Sequence, residues 1–470
     1  MSQLNKHLKH LFDNNTYSIS SIGLSKKKIG QQKTNELSIT FGVHKKKSIN
    51  ELNEEEIIPK EIIIDGIKYA TDVVEEAPMK ALTCYNPSGN PIPEEIRKLR
   101  IVQATNGSIS SQLMGGQQII MFPDGFDGRR YIQDVPEFGI ASGDFLASVG
   151  TLGFLAIDNE DNKVVGVTNA HVACAVPRQN DERDLSLEIN DPYNFIDSRS
   201  FVGNSQTFTA PAQCIVGVRE TTDNSYSIQN LSHNINSPNI KRALQFDQDS
   251  NNTIDVALLS IAPAVFGNNS YQINQPNGTT QITTYFEFAT TQELDNLLTS
   301  PPSSVYSVGR TTGPKGWGTT ADCQLEVSAI DVTANVGFTE RGQSVTVGFN
   351  DLIVYQYVDN SNFPAAGGDS GSALIADMDG QGTYKILGLV FAGNGGEINN
   401  PSAGTHVGLA CRIDNVASIM NIRAWTSSET PDFSASTITE HTVNYTDPNP
   451  EVLSTLVGSD TYWNAGLRTK

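Results

Sequence analysis

Residues 367–374 read Gly-Gly-Asp-Ser-Gly-Ser-Ala-Leu, with the serine at position 370. A serine hydroxyl is a poor nucleophile until a base takes its proton, and the oxyanion formed on attack needs hydrogen-bond donors. Flanking glycines let the backbone enter φ > 0 and turn its N–H groups inward. In such a turn the N–H groups of Gly368 and Ser370 can converge on one point, an oxyanion hole. The apolar residues 373–376 then read as a buried strand. A plain glycine-rich turn would look the same, so the string needs partners elsewhere in the chain.

A base must come from one of seven histidines. His7, His10, His44 and His441 lie in polar settings, and His233 sits in a long polar stretch. His406 lies in a glycine-rich loop beyond Ser370 and is the weaker alternative. Only His171 caps an apolar strand, Val-Val-Gly-Val-Thr-Asn-Ala-His-Val over residues 164–172. The third member must be a carboxylate that holds the imidazole tautomer and stabilises its cation. Asp255 directly precedes Val-Ala-Leu-Leu-Ser-Ile, residues 256–261, which read as a buried strand. An aspartate there is unusual unless it has partners. Singly, His171 could be a satisfied structural histidine and Asp255 a turn residue closing the loop 247–252. In the chain order His, Asp, Ser they form a set suited to nucleophilic catalysis.

The segments Thr-Asn-Ala-His171, Asp255-Val-Ala-Leu-Leu and Gly-Asp-Ser370-Gly-Ser resemble the signature segments of chymotrypsin-like serine proteases. The resemblance covers residues 145–426. It implies a mainly β fold of two Greek-key barrels, with His171 and Asp255 from the first and Ser370 from the second. A narrower resemblance, to the intracellular Nal1-like peptidases, rests on Gly-Thr-Leu-Gly (150–153), Gly-Arg-Thr-Thr-Gly (309–313) and the Ser370 segment. The leader is similar to the small domain that precedes those peptidases. By the same resemblance Pro364 lies at the base of the primary pocket, Phe391, Ala392 and Gly393 form its wall, and Gly404 stands near the opposite side. With no acidic residue at the base, an apolar or small side chain is the expected occupant. Two departures stand out. Cys174 lies three residues past His171 rather than beside it, and a long leader leaves Asp369 without a newly freed N-terminus to pair with.

Outward from these segments, the 470 residues include 38% hydrophobic ones and 39 glycines, a composition of packed cores, short strands and many turns. Residues 1–80 are expected to form a small α/β domain: a helix over 2–12, strands over 17–24 and 36–43, a Ser48/Glu51 capping box and a hairpin turn at Asp65-Gly66. Residues 81–144 read as a connector. The stretches 177–250 and 266–302 read as polar surface insertions, residues 414–422 as a helix capped by Asp414, and 427–470 as a polar tail. The leader holds no catalytic set, so a structural or docking role suits it.

Other classes find little support. Lysine triplets at 26–28 and 45–47 make the start basic, but the chain carries a formal net charge of −20, so nucleic acid is not an expected partner. No window approaches the roughly 18 apolar residues of a membrane helix. The five cysteines (84, 174, 214, 323 and 411) form no CxxC pair, so zinc and dithiol sites are not expected. Together with a polar start lacking a secretory signal, they suggest a reducing, cytoplasmic setting. Residues 247–255 lack the central glycine and closing glutamate of a calcium loop. The segment 309–313 lacks the Gly-Lys-Ser/Thr ending of a phosphate loop, and no cofactor is expected. The order of the set also departs from an α/β-hydrolase esterase, whose histidine comes last. The reading is therefore a serine endopeptidase acting on protein or peptide substrates, as a monomer or a homo-oligomer. The alternative is a non-catalytic binding or assembly module in the same fold.

Overall fold

A computed structural model describes residues 3–13, 19–30, 32–82, 115–116, 118–122, 148–173, 213–217, 220–222, 225–227, 240–244, 252–260, 270–274, 280–284, 286–309, 312–316, 324–340, 343–359, 363–394, 406–432 and 456–457. The fold is mainly β. Its first half holds an antiparallel sheet in the order 422–424, 154–158, 164–168, 257–260, 240–244 and 456–457. A three-stranded sheet pairs residues 118–122 with 148–151 on one edge and 213–217 on the other. The strands Phe154–Asp158 and Val164–Thr168 are buried at every position, which is why they read as continuous apolar runs rather than alternating ones. The expected turn joins them, with Asn162 at φ 59°.

The second half closes on itself. Strands Ser304–Gly309, Ala373–Asp377, Tyr384–Gly393, Gly408–Arg412, Gln343–Tyr357 and Leu325–Glu340 pair in that order. The pairing of Val305 with Leu325 joins the ends into a six-stranded barrel. Closure removes the exposed edges that an open sheet of this length would carry. The apolar interior includes Phe286, Phe349, Leu352, Leu374, Leu389 and Leu409, all fully buried.

The leader has its own small core of Leu8, Ile22, Ile39, Phe41 and Ile64. Its helix, Gln3–Asp13, presents Leu4, Leu8, Leu11 and Phe12 to that core, one apolar face at helical spacing. The strands Ile19–Ile29 and Gln32–Val43 are longer than the sequence suggests. Asp65 and Gly66 both take positive φ, as a two-residue hairpin turn requires. The sheet does not stop at the leader's boundary: Ile19–Ile29 pairs antiparallel with Leu325–Glu340, so the leader strands extend the second barrel's sheet.

Residues 286–300, expected as part of a polar insertion, pack into the core through Phe286, Leu294, Leu297 and Leu298. Arg412, itself buried, ties this segment down through Asp295 at 2.9 Å and also reaches Asp331, Asp351 and Asp414. The late helix runs from Ile413 to Ile419 and is capped by Arg412, not Asp414, because the strand Gly408–Arg412 runs straight into it. Asp414 instead sits in the first turn, where a carboxylate favours the helix dipole. Among the described residues of the tail, the Asp432 N–H donates to the Asn162 carbonyl at 2.7 Å, Glu429 pairs with Arg423 at 3.1 Å, and residues 456–457 pair with 243–244.

Candidate active site

Strand register brings His171 and Asp255 together. Val164–Thr168 pairs antiparallel with Ala257–Ser260, with Thr168 opposite Ala257. His171 follows Thr168 by three residues on a short helical turn, Ala170–Ala173, and Asp255 precedes Ala257 by two. Both therefore emerge at one end of the sheet. Asn169 secures the junction, its amide donating to the Asp255 carbonyl at 2.6 Å. One Asp255 carboxylate oxygen accepts the His171 backbone N–H at 3.1 Å, and the other meets His171 Nδ1. An acceptor at Nδ1 holds the proton there and leaves Nε2 with a free lone pair. The Asp255 backbone N–H donates to Cys411 Sγ at 3.3 Å, and the ring edge of Phe338 closes on the imidazole at 5.7 Å between centroids. Burial and the neighbouring Asp255 push the Cys411 thiol well above its ordinary range, so it is an inert packing group.

Ser370 comes from the second barrel. Its Oγ lies 2.7 Å from His171 Nε2 and 3.4 Å from the Phe391 carbonyl. The turn carrying it uses positive φ at Gly368 (93°) and Gly371 (89°), a conformation that side chains resist. Thr151 of the first half latches this turn. Its N–H donates to the Ser370 carbonyl at 2.7 Å and its hydroxyl to the Gly368 carbonyl at 2.9 Å. The close approach explains the glycines of residues 150–153. A Cβ on Gly153 would lie 2.3 Å from the Gly371 carbonyl oxygen, and one on Gly150 2.6 Å from Val172.

Asp369 finds its partners without a free N-terminus. Its carboxylate accepts the Thr312 N–H at 3.0 Å, the Thr312 hydroxyl at 2.6 Å and the Ala366 N–H at 3.0 Å. Lys315 Nζ stands 3.8 Å away. Lys315 is buried, which pulls its ammonium down to about 8 against the opposing pull of Asp369. Its Nζ donates to the carbonyls of Pro364 and Phe363 (3.2 Å for the latter). Thus Thr312, within the segment 309–313, helps hold Asp369 and with it the turn that carries Ser370.

Of the residues expected to line a primary pocket, Phe391 adjoins Ser370, whose Oγ lies 3.4 Å from its carbonyl. Pro364 is buried, with Lys315 and the Tyr355 hydroxyl on its carbonyl. Phe391 packs on Phe349 with ring centroids 4.7 Å apart, and Ala392 and Gly393 continue its strand. Gly404 lies outside the described residues, as do Cys84, Cys174 and Cys323. His406 packs against Phe363 with ring centroids 4.1 Å apart and the ring planes tilted by 52°. Of the two expected oxyanion donors, the Gly368 N–H donates to a carbonyl of this same chain, Leu82, at 2.7 Å. Sequence reasoning missed Thr151, Thr312, Lys315 and Cys411. Thr151 and Thr312 carried a signal as members of the segments 150–153 and 309–313, and Lys315 as a lysine just after the second.

Among the described residues no group of acidic, histidine or cysteine side chains could hold a metal ion, and no helix is long and apolar enough to cross a membrane.

No family model matches the chain, and no curated protein matches it. Solved structures do. Thermobifida fusca protease A is 13% identical, with a TM-score of 0.31, over 67% of this chain and 100% of that one. Nocardiopsis protease is 14% identical, with a TM-score of 0.29, over 59% and 93%. Cellulomonas bogoriensis chymotrypsin is 14% identical, with a TM-score of 0.29, over 59% and 91%.

Proposed function

We propose that this chain is a serine endopeptidase that cleaves peptide bonds through Ser370, His171 and Asp255. The observation that carries this reading is the unbroken hydrogen-bonded line from Asp255 through both ring nitrogens of His171 to Ser370 Oγ. In the proposed mechanism His171 Nε2 takes the hydroxyl proton as Ser370 Oγ adds to the substrate carbonyl. Asp255 stabilises the imidazolium, and the N–H groups of Gly368 and Ser370 receive the oxyanion. His171 then passes the proton to the leaving amine, and water hydrolyses the acyl ester. Substrates are proteins or peptides, with an apolar side chain in the pocket above Pro364.

The narrower kinship to Nal1-like peptidases draws support from the work its segments do: residues 150–153 admit the nucleophile turn, and Thr312 of 309–313 holds Asp369. A non-catalytic module has no use for this alignment, which makes hydrolysis the better reading. The test is labelling with a fluorophosphonate probe and mapping by mass spectrometry. Ser370 should carry the adduct in the native protein and not after heat denaturation. Absence of any adduct, or clean modification of another serine, would sink the proposal.

A further inference from the structure

A short strand of the leader, Met79–Ala81, lies in the candidate cleft. It pairs antiparallel with the pocket wall, Ala81 opposite Ala392 and Lys80 opposite Gly393. Its other edge runs parallel to Val336 and Gly337. The next residue, Leu82, donates its N–H to the Phe391 carbonyl at 2.9 Å and offers its own carbonyl to the Gly368 N–H at 2.7 Å. Leu82 is 7% exposed, and its Cδ2 would lie 3.7 Å from a Cβ built on Gly393. Ser370 beside it is 0% exposed.

These contacts follow what acyl transfer demands of a bound peptide. An extended substrate adds as a strand to a sheet edge, which fixes its backbone, while alternate side chains select pockets. The residue donating the carbonyl must place that oxygen on the oxyanion donors, next to the nucleophile. Leu82, directly after the paired strand, places its carbonyl on one of these donors, the Gly368 N–H, and anchors its own N–H on the Phe391 carbonyl of the same wall. A strand serving only to pad the barrel would have no reason to end its carbonyl on the Gly368 N–H.

Resting on the peptidase reading, we infer that residues 79–82 are a tethered substrate-like occupant of the acyl-side subsites, with Leu82 in the primary pocket. The inference carries two consequences. The site takes an extended segment with a leucine-sized apolar side chain before the scissile bond; Lys315, beside Pro364 at the expected pocket base, already donates to the Pro364 and Phe363 carbonyls. External substrates must also displace the leader. A flexibly tethered occupant competes at an effective concentration on the order of millimolar. Its occupancy lowers the fraction of sites open to anything else.

The leader strands remain paired to the second barrel through Ile19–Ile29. Displacement therefore needs only the last residues to lift, not the leader to leave. Slow turnover of the occupant would move the Leu82 acyl group to Ser370 Oγ and the serine proton through His171 to the departing amine. Water would then return a Leu82 carboxylate.

The test compares the full chain with Leu82→Asp and Lys80→Pro, the first removing the apolar anchor and the second a strand N–H. Fluorophosphonate labelling of Ser370 and hydrolysis of acetyl-Met-Lys-Ala-Leu-aminomethylcoumarin are followed in each. Both variants should label roughly tenfold faster or more, with the apparent KM lowered by a similar factor and kcat little changed. A break after Leu82 in the parent chain, absent in Ser370→Ala, supports the same placement. If all three proteins label at Ser370 at equal rates, the occupancy is wrong while the peptidase reading stands. If none labels, the peptidase reading falls and the inference falls with it.

Discussion

Replacing Gly309 by alanine tests how the nucleophile turn is held. Gly309 has no left-handed backbone to protect, so alanine is refused by space alone. Its Cβ would stand 2.2 Å from Asp369 Oδ1, 2.4 Å from Cγ and 2.8 Å from Cβ. Ordinary contact begins at 3.4 Å, so the short aspartate side chain must retreat bodily by about 1 Å. That motion stretches the hydrogen bond from the Thr312 N–H, now 3.0 Å, to about 4 Å, where it no longer counts as one. A hydrogen bond to a charged group is worth about 1.5–3 kcal/mol, and overpacking a filled site costs about 1–3 kcal/mol. Partial relaxation overlaps the two, so a loss of roughly 2–4 kcal/mol in unfolding free energy is expected. Asp369 adjoins Ser370, and an error of about 1 Å at a catalytic group costs on the order of 10²-fold in rate. Denaturant unfolding measures the first quantity and fluorophosphonate labelling of Ser370 the second. Labelling at the parent rate with stability changed by less than about 0.5 kcal/mol would show that Asp369 does not set the turn.

Asp255→Asn should reduce peptide hydrolysis by roughly 10⁴-fold, because an amide at His171 Nδ1 permits the wrong tautomer; a loss of only a few-fold would remove Asp255 from the mechanism. Lys315 gives a pH signature. Its folded pKa, about 8, lies below the usual 10.5, so between those values the unfolded chain holds a proton that the folded chain has lost. Stability of the parent relative to Lys315→Met should therefore rise with pH across that window and run parallel below it. Unfolding curves from pH 7 to 10.5 check this, and a constant gap would refute it.

The grouping of Ser370, His171 and Asp255 was legible in the sequence, because each sits at a local boundary that chemistry makes conspicuous. Apolar strands end at His171 and begin after Asp255, and glycines bracket Ser370. Short-range rules also suffice for the Asp65-Gly66 hairpin and the Ser48/Glu51 capping box, whose interactions span only a few residues. The helix boundary at Arg412 was less legible, since a strand running directly into a helix leaves no separate cap. The role of residues 286–300 was hidden for another reason. Their apolar residues are interspersed with Glu, Thr, Gln, Asp and Asn and become a core face only when Arg412 and the barrel wall are in place. Tertiary structure alone decided the long-range matters: the seating of Asp369 on Thr312 and Ala366, the latch from Thr151, the pairing of the leader with Leu325–Glu340, and the delivery of Leu82 to the Gly368 N–H. Contacts between residues 57 or 286 positions apart leave no periodicity to read, and strand register in the closed barrel is what brings them within hydrogen-bonding distance.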